Sequence, residues 1–322
     1  MMSYAEAGSL EALRTRARIL ARIRAFFAAR GVLEVETPAL SRAGVSDPAL
    51  DSVMATARSL APTPLYLHTS PEYAMKRLLA AGSGDIYQIC RVFRDDELGR
   101  WHQPEFTLLE WYRIDFDDAR LMDEVEALLR DALEGDDAAW RSERIRYSDA
   151  LERALGIDAG ASPTSVAARL AERGIDVPRG LTSDALLDLA FASVVVPSFA
   201  ADALTFVYDY PASQAALARL KPTVPPVAAR FEVFARGIEL ANGFQELTDA
   251  AEQRRRFEAE IDTRRRSGRH VPPLDETFLD ALVRGLPDCA GVAVGLDRLV
   301  ALALGADGIA AAMAFVHRPP SR

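Results

Sequence analysis

The run Cys90-Arg91-Val92-Phe93-Arg94-Asp95-Asp96-Glu97-Leu98-Gly99-Arg100-Trp101-His102-Gln103-Pro104-Glu105-Phe106-Thr107-Leu108-Leu109-Glu110-Trp111-Tyr112 reads as a β-hairpin. Val92 and Phe93 are strand formers, Asp95 to Gln103 form a charged loop, and Pro104 opens the return strand. Alternate residues of a strand share a face. Phe106, Leu108, Glu110 and Tyr112 therefore point one way, and Glu105, Thr107, Leu109 and Trp111 the other. The first face carries two aromatic rings and a carboxylate, opposite a strand that ends in Arg94. A flat ring, a fixed cation and an anion on one sheet surface suit a nucleotide beside a cationic small molecule. Pattern alone also allows an amphipathic hairpin with a solvated tip.

F-R-x-(D/E) followed by R-x-H-x-P-E-F-T-x-x-E-x-Y resembles motif 2 of the class II aminoacyl-tRNA synthetases, in the form of the lysyl branch. Two further stretches extend the resemblance. Leu10 to Arg30 has Leu13, Ala17, Leu20, Ile23, Phe26 and Phe27 at helical spacing; Gly31 ends the helix and Val32 to Pro38 follows as a short strand. That order resembles motif 1, the dimer interface of the family, and implies a homodimer. Near the C-terminus, Ala290 to Val300 is a glycine-punctuated strand entering a helix. Glycine admits close approach to the backbone and a helix N-terminus favours anions. With Leu296-Asp297-Arg298-Leu299 behind it, this stretch resembles motif 3.

Composition sets the outer bounds. The 322 residues are 49% hydrophobic and 26% charged, as in ordinary globular proteins. No apolar run reaches the ~18 residues that span a bilayer, and the N-terminus has no secretory pattern, so the expected compartment is the cytoplasm. Two cysteines, Cys90 and Cys289, among strand-like neighbours read as buried thiols, and four histidines offer no zinc spacing. The net charge of −9 argues against a broad phosphate-binding surface.

Between the motifs, Leu65 to Tyr73 reads as a strand running into a helix start, with Ser70 as N-cap, Pro71 as first helical residue and Glu72 in the first turn. Asp115 to about Leu204 is cut by glycines and prolines around helical periodicity, and is expected as a helical insertion between two halves of a sheet. Phe206 to Pro211 resumes strand pattern. Arg230 to Leu247 reads as a hairpin turning at Ala235-Arg236, which puts Glu232 directly opposite Glu239. Like charges so placed are destabilising unless a divalent cation compensates, and carboxylate oxygens suit Mg²⁺. Thr248 to Arg269 is a charged helix in which acids interleave with two arginine triplets, a solvated face before a basic contact surface.

The motif order is colinear with a lysyl-tRNA synthetase catalytic domain. The resemblance implies an α+β fold for residues 1–322, an antiparallel sheet flanked by helices. It also implies ATP and Mg²⁺, with adenine on Phe106, Arg94 at the α-phosphate and Arg298 at the γ-phosphate. Asp95, Asp96, His102, Gln103, Glu239, Leu240 and Gly295 complete the implied nucleotide site, and Glu232 with Glu239 the metal site. Ser70, Pro71, Glu72, Glu110, Tyr112, Asn242, Phe244, Glu246 and Ala293 form the implied amino-acid site. Carboxylates are expensive to bury unpaired, so Glu72, Glu110 and Glu246 imply a diamino acid with two ammonium groups.

Only about ten residues precede the first helix, which leads us to expect no anticodon-binding barrel ahead of motif 1. With the acidic charge, this argues against tRNA as acceptor. The chain looks like the lysyl-synthetase paralogues that activate (R)-β-lysine and pass it to a lysine ε-amine of elongation factor P. Ala293, where lysyl-tRNA synthetases carry glycine, fits a pocket that disfavours an α-amine. Asp96 stands where the family has glutamate, with Glu97 beside it. Gln103 replaces the usual asparagine, and Gln245 a histidine or serine. A lysine-activating enzyme with another acceptor and a non-catalytic lysine-binding paralogue remain the alternatives; intact Arg94, Glu239 and Arg298 speak against the last.

Overall fold

The computed structural model describes residues 4–6, 8–60, 63–133 and 140–318. In chain order, strand β1 (Tyr4–Glu6) precedes helix α1 (Leu10–Ala28), strands β2 (Leu33–Glu34), β3 (Leu40–Ser41), β4 (Met54–Ala55) and β5 (Leu65–Leu67), and helix α2 (Glu72–Ala80). The hairpin follows as β6 (Ile86–Phe93) and β7 (Glu105–Ile114), then α3 (Asp118–Ala132), β8 (Arg141–Arg146), α4 (Tyr147–Leu155), α5 (Pro163–Glu172), α6 (Ser183–Ala190) and β9 (Ala203–Pro211). The last third holds β10 (Leu220–Lys221), β11 (Val227–Ala235), β12 (Ile238–Gln245), α7 (Ala250–Arg266), α8 (Glu276–Gly285), β13 (Cys289–Gly295), α9 (Leu296–Ala303) and β14 (Phe315–His317).

The main sheet runs β2-β6-β7-β13-β12-β11-β9-β8, with β10 on β11. It is antiparallel except at its ends, where β2 pairs with β6 and β8 with β9 in parallel. Period-two alternation splits its surface. Leu109, Trp111, Val292, Val294, Phe231 and Val233 share a core with Ile23 and Phe27 of α1, Leu121 and Val125 of α3, and Leu299 of α9. The opposite face is capped at one end by α2, α7 and α8 through Met75, Phe257 and Phe278. At the other end Tyr147, Leu151 and Leu187 of α4 and α6 pack with Val207 and Phe234. Between those caps the sheet face stays open.

The helical stripe of α1 differs from the expected one. Ala12, Thr15, Ile19, Ile23, Phe26 and Phe27 are buried, whereas Leu13 is 42% exposed, so the buried stripe enters one residue earlier. The stretch 115–204, part of which (134–139) lies outside the described residues, contains more than helices. Its α3 belongs to the main core and its β8 extends the main sheet. Of the two cysteines, Cys289 is buried and Cys90 half-buried, and neither forms a disulfide. No helix of the described residues is long and apolar enough to cross a membrane.

Candidate active site

The open sheet face floors a cavity of about 840 Å³. Phe106, Leu108, Glu110 and Tyr112 of β7 all line it, as period two predicts for that face. Cross-strand register turns these positions into rows. Glu110 faces Ala293, Ala293 faces Asn242, and Asn242 faces Glu232; the neighbouring row is Tyr112, Gly291, Phe244 and Arg230. Strands far apart in sequence thus deliver one lateral line of polar groups.

At one end of the cavity two carboxylates, Glu72 and Glu246, share one ammonium, and a third, Glu110, stands near them. Glu110 and Glu246 are 3% and 0% exposed, and Glu72 opens α2. The Lys76 ammonium, 1% exposed, lies 2.6 Å from Glu72 Oε1 and 2.5 Å from Glu246 Oε2. Burial would lower the Lys76 pKa, but Glu246 and Glu72 outweigh it and keep the ammonium charged. Burial pushes the Glu246 carboxyl up to about 8 against the pull of Lys76. Glu110 is also pushed up to about 8, by burial and then by the Glu72 charge, although Tyr112 Oη donates to it at 2.6 Å. Glu246 Oε1 has no hydrogen-bond partner among the described residues. Gly291 makes room for this arrangement. A Cβ there would overlap the Tyr112 ring and come within 2.6 Å of Glu246 Oε1.

Ser70 Oγ accepts from the Glu72 amide at 3.2 Å, and Pro71, not Ser70, is the capping position, one residue later than expected. Lys76 is not among the residues that the motifs single out. Its signal was there: it is one of only two lysines among 38 basic residues, four positions after Glu72 on a helix.

The other end carries two arginines, each beside a glutamate: Arg94 lies 3.6 Å from Glu97 and Arg298 3.4 Å from Glu239. The Arg94 guanidinium lies 5.0 Å from the Phe106 ring centroid, and Arg298 bonds to the Glu239 carbonyl at 3.0 Å and to His102 Nε2 at 2.8 Å. Arginine can only donate, so His102 accepts through Nε2 and carries its proton on Nδ1. Burial, then the Arg298 charge, lowers its pKa and holds it neutral. Leu240 and Gly295 also line the cavity. Gln103 lines it too, yet its amide is engaged elsewhere: Oε1 accepts from His317 N at 2.8 Å and Nε2 donates to His317 O at 3.3 Å.

Three expected ligands lie off the cavity. Asp95 and Asp96 do not line it, whereas Glu97 does, 3.6 Å from Arg94. Asp96 is spent on the turn, with φ 60° and its amide on Asp95 Oδ1. Glu232 does not face Glu239. The hairpin turns at Arg236-Gly237, both at positive φ, and a register shift follows at Val233/Phe234, so Glu232 pairs with Asn242 and Glu239 with Phe234. The turn lies one residue later than expected, and the bulge leaves no trace in the alternation of the sequence. Glu232 is held by Arg230 at 2.6 Å instead.

Among the described residues no cluster of three or more His, Cys, Asp or Glu could hold a metal. Mg²⁺ commonly takes one or two carboxylates with substrate phosphates and water, so cavity-lining Glu239 fits such a role on its own.

A family model described as tRNA synthetases class II (D, K and N) matches residues 1–319. Curated proteins named elongation factor P--(R)-beta-lysine ligase from Salmonella dublin, Salmonella paratyphi B and Salmonella heidelberg are each 48% identical to this chain. The similarity covers 97% of this chain and 97% of each relative.

Proposed function

Because the chain belongs to the class II tRNA synthetases of the D, K and N group, we propose that it is an ATP-dependent ligase of (R)-β-lysine with elongation factor P as acceptor. The observation that carries this reading is the orphaned Glu246 Oε1 beside Glu110 and Glu72, two buried carboxyls and a half-buried one around one internal ammonium. A substrate bearing two ammonium groups supplies what they lack. The near-full-length likeness to named ligases supplies the acceptor.

In this reading the substrate carboxylate attacks the α-phosphorus of ATP, and the bond to pyrophosphate breaks. The acceptor amine then attacks the acyl carbon and AMP leaves with the carboxyl oxygen it gained. Phe106 stacks the adenine, and Arg94 and Arg298 spread over the phosphates, where charge develops. Neutral His102 holds Arg298 from behind. Glu239 would hold Mg²⁺, which would supply positive charge to offset that of the phosphates. The motif 1 region presents Leu10, Leu13 and Leu33 at 42–63% exposure, apolar side chains that suit a homodimer interface. The cytoplasm suits the free thiols.

The test is ATP–pyrophosphate exchange with (R)-β-lysine and with α-lysine, followed by mass analysis of elongation factor P. Preference for the β form and a mass gain on the acceptor are expected. Exchange favouring α-lysine would turn the reading toward a tRNA-type enzyme, and no exchange with either toward a lysine-binding paralogue.

A further inference from the structure

Arg230, on β11, uses its whole guanidinium. Nε donates to Asn242 Oδ1 at 3.3 Å, one terminal nitrogen to the Gln214 carbonyl at 2.7 Å, and the other to Glu232 at 2.6 Å. The Tyr210 ring lies 4.7 Å away as a platform. Gln214 is itself fixed. Its Nε2 donates to Asp188 at 2.8 Å, and neighbouring Ser213 donates to Asp184 at 2.7 Å, both on α6. A rigid path therefore leads from the 115–204 helices to Asn242, which lines the cavity between Ala293 and Glu232.

A guanidinium has no acceptor, so only the oxygen end of the Asn242 amide can meet it. We propose that Arg230 is a positioning residue for adenylate formation: by holding Asn242 Oδ1 it turns the Nδ2 amino group toward the cavity, as a donor for an anionic oxygen of the substrates. That oxygen belongs to the amino-acid carboxylate or to an ATP phosphate. Without Arg230 nothing in this contact fixes which end of the amide faces the cavity. Glu232, whose carboxyl burial pushes up to about 7, keeps Arg230 in place from the other side.

The kinetic test rests on the proposed reaction and reads exchange in Arg230→Met, Asn242→Ala and the double variant, with Arg230→Lys as the milder change. Each single loss is expected to cost about tenfold or more in kcat/KM, and the double variant no more than about twofold beyond Asn242→Ala, since residues acting through one another are not additive. Arg230→Lys, which keeps Glu232 neutralised, should recover part of the loss. A rise confined to the amino-acid KM identifies the carboxylate, and one confined to the ATP KM identifies a phosphate. Losses that multiply in the double variant would overturn the proposal. A wild-type chain without exchange would sink the proposed reaction instead. The side-chain amide resonances of Asn242, assigned by their loss in Asn242→Ala, then decide. A shift on Arg230→Lys supports the clasp, and unchanged resonances overturn it.

Discussion

Lys76 Nζ and Glu246 Oε2 are 2.5 Å apart in a position where neither side chain is more than 1% exposed. The pair joins α2 to the residue that follows β12 and so fixes two walls of the acidic end of the cavity at once. Removing one partner of a buried pair leaves an uncompensated charge, so Lys76→Met is expected to cost about 3–5 kcal/mol of stability. Lys76→Met with Glu246→Gln should recover part of it. Chemical denaturation of the three proteins checks both statements.

Substrate binding should release protons. The Glu110 and Glu246 carboxyls are pushed up to about 8, so the ligand-free pocket holds protons at pH 7. An arriving ammonium favours the ionised form and expels them. Calorimetry in two buffers of different ionisation enthalpy should show proton release at pH 7 that fades above pH 8, and Glu110→Gln should reduce it. The sign for stability follows the same groups. Their folded pKa values lie above the unfolded ones, so the stability they contribute is full below about pH 4.5 and lost as pH rises through about 8.

Gly291→Ala tests how tightly the pocket is built. The new Cβ would meet the Tyr112 ring and lie 2.6 Å from Glu246 Oε1, and neither neighbour is a loose surface side chain. Overpacking of this kind typically costs about 1–3 kcal/mol. Amino-acid affinity should fall by more than tenfold while ATP binding stays near wild type, as equilibrium dialysis with each ligand would reveal.

Both lysines of the chain are clamped between two carboxylates, Lys76 by Glu72 and Glu246, and Lys221 by Asp118 and Asp209 at 2.6 and 2.7 Å. A charged, paired amine is a poor nucleophile. Peptide mass analysis after incubation with ATP and the diamino acid should therefore show neither lysine acylated, whereas a lysine introduced by Arg42→Lys, at an exposed position that lines the cavity, should acquire a label.

Most of the site was legible because period two is a strict rule. Once Phe106, Glu110 and Tyr112 were put on one strand, their common face followed. Glu232 and Glu239 show where that rule stops. A two-residue turn at Arg236-Gly237 and one shifted pair at Val233/Phe234 decide the register, and a bulge leaves no pattern in alternation. Gln103 lines the cavity as expected, but its hydrogen bonds were not legible. Its amide is claimed by the backbone of His317, 214 positions along the chain, and local sequence holds no trace of so distant a partner. Lys76 was hidden by habit, since a lysine on a helix reads as solvated until tertiary packing encloses it.

Ala293 lies in the row between Glu110 and Asn242, and this lattice limits how the pocket could have adapted. Neighbouring strands stand about 4.8 Å apart, whereas moving an amine by one carbon along a substrate displaces it by only about 1.5 Å. The step between strands is too coarse to follow that displacement. Only a change in side-chain length on a fixed strand has the right increment, and one methyl group is the smallest available. Ala293→Gly should then raise exchange with α-lysine relative to the β isomer, and an unchanged ratio would place the isomer choice elsewhere. The sheet acts as a ruler with coarse graduations, on which a single methyl serves as the vernier.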